Sequence, residues 1–371
     1  MNPPRMHVQL VDPSAFTPPY DRSLAAALAR AGADVELVTS RFLYGTVASP
    51  DGYEVKELFY RRSSARGLDA PGRRALKLAE HVPDMLRYRR EAERADVVHW
   101  QWFSVEQLDA WLLPAKRPQV LTAHNVIAHE QRPGQAFARR RLLRAMDAVV
   151  VHSRHGAAQA ERLGADPARL HVIPHGAFDY LTRQERELPL PRELGAVEGP
   201  VVLFFGLIRD YKGVDVLLRA WRSVPGAELW VVGMPRVDMA PLRALAGERV
   251  RFVSHFVGDL ELPAYFRRAD LVVLPYRDAD QSGVLYTALA FGKPLLLSDV
   301  GGFGEVAAHG AARLVPPGDE EALATALREL LADPSARAEL GAAAARAAAG
   351  PYSWETVAQS TLGLYQTLLR Q

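Results

Sequence analysis

The stretch that most constrains this chain is VVLFFGLIRDYKGVDVLLRAW, residues 201–221. Val201 to Phe205 is an unbroken apolar run, the pattern of a strand buried on both faces. Gly206 ends it. Leu207 and Ile208 then lead into Arg209, Asp210, Tyr211, Lys212 and Gly213, a polar loop bounded by glycines. From Val214 the apolar residues return at helical spacing (Val214, Leu217, Leu218, Trp221), and Pro225 lies just past the end. Strand, loop and helix in that order put two permanent cations at a strand's carboxyl end, where open α/β sheets bind ligands. A helix N-terminus there adds N–H groups with no partner and a dipole that favours an anion. Arg209 and Lys212 beside it suit a diphosphate. From this loop alone, two solvated surface residues explain the same letters equally well. The order is not that of an ATP-binding P-loop, which needs GxxxxGK followed by Ser or Thr.

A second segment has the same grammar. In LPYRDADQSGVLYTALAFGKPLLLSDVGGFGEV, residues 274–306, a strand end is followed by a loop, Arg277 to Gln281, and a predicted helix from Val284 to Phe291. Ser282 is placed to cap that helix, Gly292 stands just past its end, and Pro294 bars continuation. Val300-Gly301-Gly302 forms a turn tight enough for a ligand to approach the backbone. Asp278 and Asp280 make an Asp-x-Asp pair, which elsewhere holds a divalent ion on a sugar nucleotide. Here the cations at Arg209 and Lys212 already suit a diphosphate, so no metal is expected.

The rest of the chain repeats the rhythm. In the first half, strands are expected at Met6–Val11, Asp34–Thr39, Asp96–Trp100, Gln119–Ala123, Asp147–His152 and near Leu170. A helix from Arg22 to Ala31, closed by Gly32, joins the first two. No GxGxxG turn precedes it, which weighs against a dehydrogenase. A polar, proline-containing linker follows over residues 178–200. In the second half the expected strands are Val201–Phe205, Glu228–Val232, Val250–Ser254, Leu271–Leu274, Leu295–Ser298 and Ala312–Val315. An amphipathic helix, opened by a Ser-x-x-Thr signal, ends the chain.

Composition then removes whole classes. A length of 371 residues favours two or three domains and permits a large core. A net charge of +2 is too balanced to argue for nucleic acid. Without cysteine there is no disulfide, thiolate metal site or cysteine nucleophile. The N-terminus shows no secretory pattern, and no apolar run approaches the roughly 18 residues of a membrane span. A cytoplasmic protein is expected, soluble or peripheral at the inner face of the membrane. The peripheral option comes from charge: between Arg61 and Arg94, ten basic residues face five acidic ones. Arg139, Arg140, Arg141 and Arg144, with Leu142 and Leu143 among them, add a second basic helix. Such faces bind anionic lipid, although solvated helix surfaces more often account for charge runs.

At HVIPHG, GLIRDYKGVDVLLRAW and LVVLPYRDADQSGVLYTALAFGKPLLLSDVGGFGEV the chain resembles glycosyltransferase family 4, retaining enzymes of the GT-B fold. The resemblance covers nearly the whole chain. It implies an α/β fold of two Rossmann-like parallel-sheet domains facing across a cleft. The first, residues 1–177, would take the acceptor, with a helix in 352–371 crossing back to it. The second, residues 178–351, would bind the nucleotide sugar. Carried over by position, Arg209 and Lys212 hold the donor diphosphate, and Ser282 and Gly283 form a turn whose amides also meet it. Gly206, Gln281, Val284 and Thr287 complete the donor set. His124, in LTAHNV, reaches the transferred sugar. His129, His152, His155 and His175 match nothing comparable and read as structural. The family's paired glutamates fall on Ala279 and Thr287. Asp280 can replace the first if the loop shifts by one, and Thr287 offers only a hydroxyl.

The implied reaction moves a sugar from a UDP-, GDP- or ADP-sugar to a glycan, lipid-linked or small-molecule acceptor, with retention and without metal or other cofactor. No carboxylate can be placed as a nucleophile, so front-side displacement is expected, with Arg209, Lys212 and the amides near Gly283 carrying the leaving charge. The alternatives are a sugar-nucleotide epimerase of the same fold and a catalytically silent sugar-nucleotide-binding protein.

Overall fold

The computed structural model describes residues 5–126 and 134–371. The chain divides into two compact units, Met1–Gly176 with Trp354–Gln371, and Ala177–Ser353. Each is built on one parallel sheet.

In the first unit the strands are β1 (His7–Asp12), β2 (Asp34–Thr39), β3 (Glu54–Glu57), β4 (Val97–Trp100), β5 (Gln119–Thr122), β6 (Ala148–Val151) and β7 (Leu170–Val172). They lie in the order β3-β2-β1-β4-β5-β6-β7, every neighbour parallel. β1, β4, β5 and β6 are almost wholly buried, as their apolar runs predict. β3 was not expected. Its letters, EVKE, lack an apolar run because it is the edge of the sheet and half-exposed. The first helix, α1, runs Pro18–Arg30 and so starts a turn before the expected Arg22. Two prolines in a first helical turn cost nothing, since N–H groups there have no partner inside the helix. Further helices are α2 (Arg73–Glu91), α3 (Glu106–Leu112), α4 (Gln135–Ala145) and α5 (Arg154–Arg162).

The second unit has β8 (Val201–Phe205), β9 (Glu228–Val232), β10 (Val250–Val253), β11 (Leu271–Leu274), β12 (Leu295–Ser298) and β13 (Ala312–Val315). Their order is β10-β9-β8-β11-β12-β13, again all parallel. β8 is buried along its length, and α6 (Val214–Trp221) follows it on the predicted residues. α7 occupies Gly283–Ala290, one residue earlier at each end than its pattern suggested.

The last helix, α8 (Trp354–Leu369), packs in the first unit although it follows the second in sequence. Its anchor is Trp354, whose ring lies edge-on to Tyr20 at 5.2 Å. A Cβ on Gly176 would come within 2.4 Å of that indole. Further along, the Tyr365 hydroxyl bonds His99 Nδ1 at 2.6 Å, tying the helix to β4.

Candidate active site

The second sheet reverses its direction of construction between β8 and β11. At such a switch point the following connections leave on opposite sides, and a crevice opens at the carboxyl ends. Gly206 closes β8 at φ +108°, and a Cβ there would stand 3.1 Å from both the Lys212 ammonium and the Val284 side chain. The loop after β8 and the first turn of α7 therefore meet over this one residue. The Lys212 ammonium also lies 4.9 Å from the centre of the Tyr276 ring, whose hydroxyl is 3.2 Å from Ser282 Oγ.

Lys212 is only 7% exposed. Burial pulls its pKa below the ordinary lysine value; Tyr211 opposes that shift and Arg209 adds to it. Among the described residues no carboxylate pairs with it. A buried cation without an anion is costly until something negative arrives. The loop carrying it is pinned: a Cβ on Gly213, at φ +66°, would come within 2.0 Å of the Pro275 carbonyl oxygen. Glycine is thus required for this loop to lie on the end of β11. Arg277 adds to the pinning. Its backbone amide donates to the Tyr211 carbonyl at 2.7 Å, and its guanidinium to the Asp210 carbonyl and the Asp215 carboxylate at 2.7 and 2.5 Å.

Around this centre the other expected residues sort themselves by environment. Arg209 is half-buried in extended backbone beside the loop. Ser282 sits at the N-cap of α7 but makes no side-chain cap, because its hydroxyl is turned to Tyr276. The cap expected from sequence is therefore one of position only. The amides of Gly283 and Val284 have no partner inside the helix, and Gly283 is exposed. Gln281 accepts from the Tyr286 phenol. The Thr287 hydroxyl donates to the Gly283 carbonyl at 2.9 Å, which leaves only its lone pairs to offer. Asp280 is buried and Asp278 exposed, so the Asp-x-Asp pair is split between two environments. Among the described residues no group of three or more His, Cys, Asp or Glu side chains is arranged to hold a metal ion. The Val300–Gly302 turn differs from expectation. A Cβ on Gly301 would meet the Ala279 carbonyl oxygen at 1.7 Å, so the close approach is by the chain's own backbone.

The first unit has its own switch point, between β1 and β4. After β1 the Asp12 carboxylate accepts the amides of Ser14, Phe16 and Thr17 at 3.2, 2.5 and 3.2 Å, which folds the proline-rich loop back on itself. Ser14 also accepts from the Lys77 ammonium at 2.8 Å. Lys77, counted above in a lipid-facing run, is thus directed into this loop.

His124 follows β5, half-buried, with the Trp102 indole stacked on its face at 5.0 Å and Tyr20 edge-on at 4.5 Å. Its Nδ1 lies 3.1 Å from Nε2 of His152, whose Nδ1 lies 3.1 Å from the Ile173 carbonyl. His99 bonds Thr122 at 2.7 Å, and His175 stands 5.3 Å from His152, ring to ring. Burial lowers every one of these pKa values: His99 to about 3, His152 to about 4, and His124 and His175 well below the usual range. His152 and His175, read as structural, stand with His124 in this cluster. His155 instead bonds Gln159 at 2.7 Å, and His129 lies outside the described residues. Sequence reasoning missed Tyr276, Gln101 and Trp102. The signal was present in HWQWF and LPYRD, strand ends rich in aromatic and amide groups.

Comparison with known proteins identifies the family. The family described as Glycosyl transferase 4-like domain matches residues 19–176, and that described as Glycosyl transferases group 1 matches residues 199–333. A D-inositol 3-phosphate glycosyltransferase of Xylanimonas cellulosilytica is 31% identical over 93% of this chain and 90% of its own length. A GDP-mannose:glycolipid 4-beta-D-mannosyltransferase of Xanthomonas campestris pv. campestris is 32% identical over 59% of this chain and 68% of its own. Among solved structures, sucrose-phosphate synthase from Thermosynechococcus elongatus superposes with a TM-score of 0.77, at 22% identity, over 99% of this chain and 100% of that one. Anabaena HepE, solved with UDP-glucose, gives 0.73 at 20% identity over 98% and 100%. These structural likenesses speak for the fold.

Proposed function

This chain belongs to glycosyltransferase family 4 of the GT-B fold, and from that premise we propose how it handles its substrates. It is a glycosyltransferase. We infer that a nucleoside-diphosphate sugar sits at the β8–β11 switch point of the second unit, its diphosphate on Lys212, Arg209 and the first amides of α7. The observation that supports this reading most is the Lys212 ammonium, buried beside the start of α7 with no carboxylate among the described residues to pair it. A diphosphate supplies the missing charge and gains negative charge as the sugar leaves, so these groups bind the transition state more strongly than the ground state.

The reaction in this reading is a front-side displacement with retention. The acceptor oxygen bonds to the anomeric carbon as the bond from that carbon to the diphosphate oxygen breaks, and the acceptor's proton passes to the departing diphosphate. The fixed cations do what a divalent ion does in other transferases, so turnover proceeds in chelator. His124 orients the sugar.

The donor base and the acceptor are open within the family: relatives are named for GDP-mannose with a glycolipid and for D-inositol 3-phosphate, and HepE was solved with UDP-glucose. Among the described residues no helix is long and apolar enough to cross a membrane. A lipid-linked acceptor at an anionic membrane is supported by α2, which exposes Leu78, Val82 and Leu86 at four-residue spacing among exposed Arg74, Arg87, Arg89 and Arg90. Leu142 and Leu143 of α4 contribute nothing to such a surface, because both are in the core.

The deciding experiment measures nucleotide release from UDP-, GDP- and ADP-sugars with and without candidate acceptors, in chelator and after metal add-back, with the product anomer read by NMR. Acceptor-dependent release with a retained glycoside is expected. Release that needs added metal, or an inverted product, would overturn the mechanism. Salt-sensitive flotation with anionic liposomes, lost in Leu78→Asp/Leu86→Asp, checks the membrane contact.

A further inference from the structure

The hydrogen bonds around His124 determine where its proton sits. A carbonyl oxygen only accepts, so His152 Nδ1, 3.1 Å from the Ile173 carbonyl, carries a hydrogen. His152 is buried and neutral, its pKa pulled down to about 4, so its Nε2 has only a lone pair. That lone pair faces His124 Nδ1 at 3.1 Å, which makes Nδ1 of His124 the donor. His124 is also held neutral, by burial first and then by His152, His175 and His99, so its Nε2 is bare.

The neighbouring Gln101 amide has to be assigned to match. Gln101 Oε1 lies 3.3 Å from His124 Nε2, and the Gln101 amide nitrogen is buried with no partner. A bare Nε2 and an amide oxygen are both acceptors, so the tautomer derived from His152 requires the amide turned, its N–H donating to the imidazole lone pair. Trp102 on the ring's face and Tyr20 at its edge keep the imidazole from rotating away.

We propose that His152 is a positioning residue: it holds His124 in the tautomer protonated on Nδ1, so that the bare Nε2 accepts a hydroxyl of the transferred sugar. The second half rests on the reading above that His124 meets that sugar. The chemistry suits the step. An imidazolium would repel the positive charge that grows at the anomeric carbon, whereas a neutral acceptor orients a hydroxyl without opposing it. The Gln101 amide keeps the lone pair satisfied until the sugar arrives.

The test reads the proton directly. In the full-length protein labelled with ¹⁵N-histidine, long-range ¹H–¹⁵N spectra distinguish a protonated from a bare ring nitrogen, and His124 is assigned by the signals lost in His124→Ala. Wild type should show the proton on Nδ1; a proton on Nε2 overturns the proposal. In His152→Phe the acceptor is gone, so His124 should shift toward the Nε2–H form and kcat/KM should fall about tenfold, the worth of one mispaired buried hydrogen bond. His152→Gln, whose amide oxygen can accept from Nδ1–H, should keep both the tautomer and most of the rate. An unchanged tautomer in His152→Phe removes the role of His152, and should that variant fail to fold, the wild-type and His152→Gln spectra still decide. If the tautomer behaves as expected but His124→Ala transfers sugar normally, the sugar assignment fails while the lock on the tautomer stands.

Discussion

The two sheets end in mouths of opposite character. In the second unit the end of β8 holds a buried ammonium, Lys212, with an arginine beside it and, among the described residues, no carboxylate pairing it. In the first unit the ends of β4 to β7 hold His99, His124, His152 and His175, all kept neutral by burial, with Tyr20, Trp102 and Trp354 against the last three and Tyr365 against His99. Both mouths arise from the same parallel topology, so topology does not explain the difference. What differs is whether charge is left uncompensated or removed. The first arrangement selects for an anion, and the second for neutral groups that exchange hydrogen bonds.

The contrast breaks most visibly at the cationic end. Lys212→Ala or Arg209→Ala should lower kcat by about 10²-fold, the effect of removing one group aimed at developing charge. Steady-state turnover measures it, and near-normal transfer by the double variant would remove the diphosphate assignment. Fold should be preserved in Lys212→Ala because the substitution removes a buried cation that no carboxylate among the described residues offsets.

Acid should act on the other mouth. A histidine held neutral in the folded state takes up its proton more readily when unfolded, so its contribution is complete above about pH 6.5. On acidification it is lost progressively down to about 4 for His152 and about 3 for His99. Each should cost about 1.4 kcal/mol per pH unit over that window. Urea denaturation at pH 7 and pH 5 checks this, and a first unit equally stable at both values would show that these histidines are not held neutral.

Smaller effects sharpen the comparison. His124→Ala should lower kcat/KM by about tenfold through loss of one hydrogen bond, well below the loss at Lys212. Equal losses at the two sites would mean that the neutral mouth does more than orient. At Thr287, whose hydroxyl already donates within its own helix, Thr287→Val should change the KM for the donor by less than about threefold. A larger change would mean that this hydroxyl, standing where the family's second glutamate falls, does hold the ribose.

Much of this was readable in the letters where burial is local. The strands β2, β8, β9, β11, β12 and β13 lie on the residues predicted; for β8, β11 and β12 the reason is that a parallel strand covered on both faces is written as a continuous apolar run. β3 was unreadable for the converse reason. An edge strand half-open to water needs no such run, and EVKE is held by its neighbour's backbone. The start of α1 was masked by prolines that read as loop but fit a first turn.

The same division runs through the site. The strand, loop and helix that carry the two cations were legible: a buried strand, a glycine, two cations and a helix start occur within a few consecutive positions, and local geometry follows from local sequence. That Lys212 would be buried, lie over Tyr276 and reach Val284 across Gly206 was decided by β11 pairing with β8, a contact between segments some seventy residues apart. Ser282 shows the limit most plainly. Its position marked a helix start, but whether its hydroxyl capped that helix depended on a tyrosine brought in by folding. The histidines go further still. His99, His124, His152 and His175 are scattered through the sequence and carry no local pattern that separates ligand from filler. Only the parallel order β4-β5-β6-β7 sets their strand ends side by side, and hydrogen-bond direction then assigns each proton. Protonation depends on desolvation and on partners far off in the chain, which is why the sequence alone determined the sheet and the cations, and the tertiary structure alone decided the state of the imidazoles.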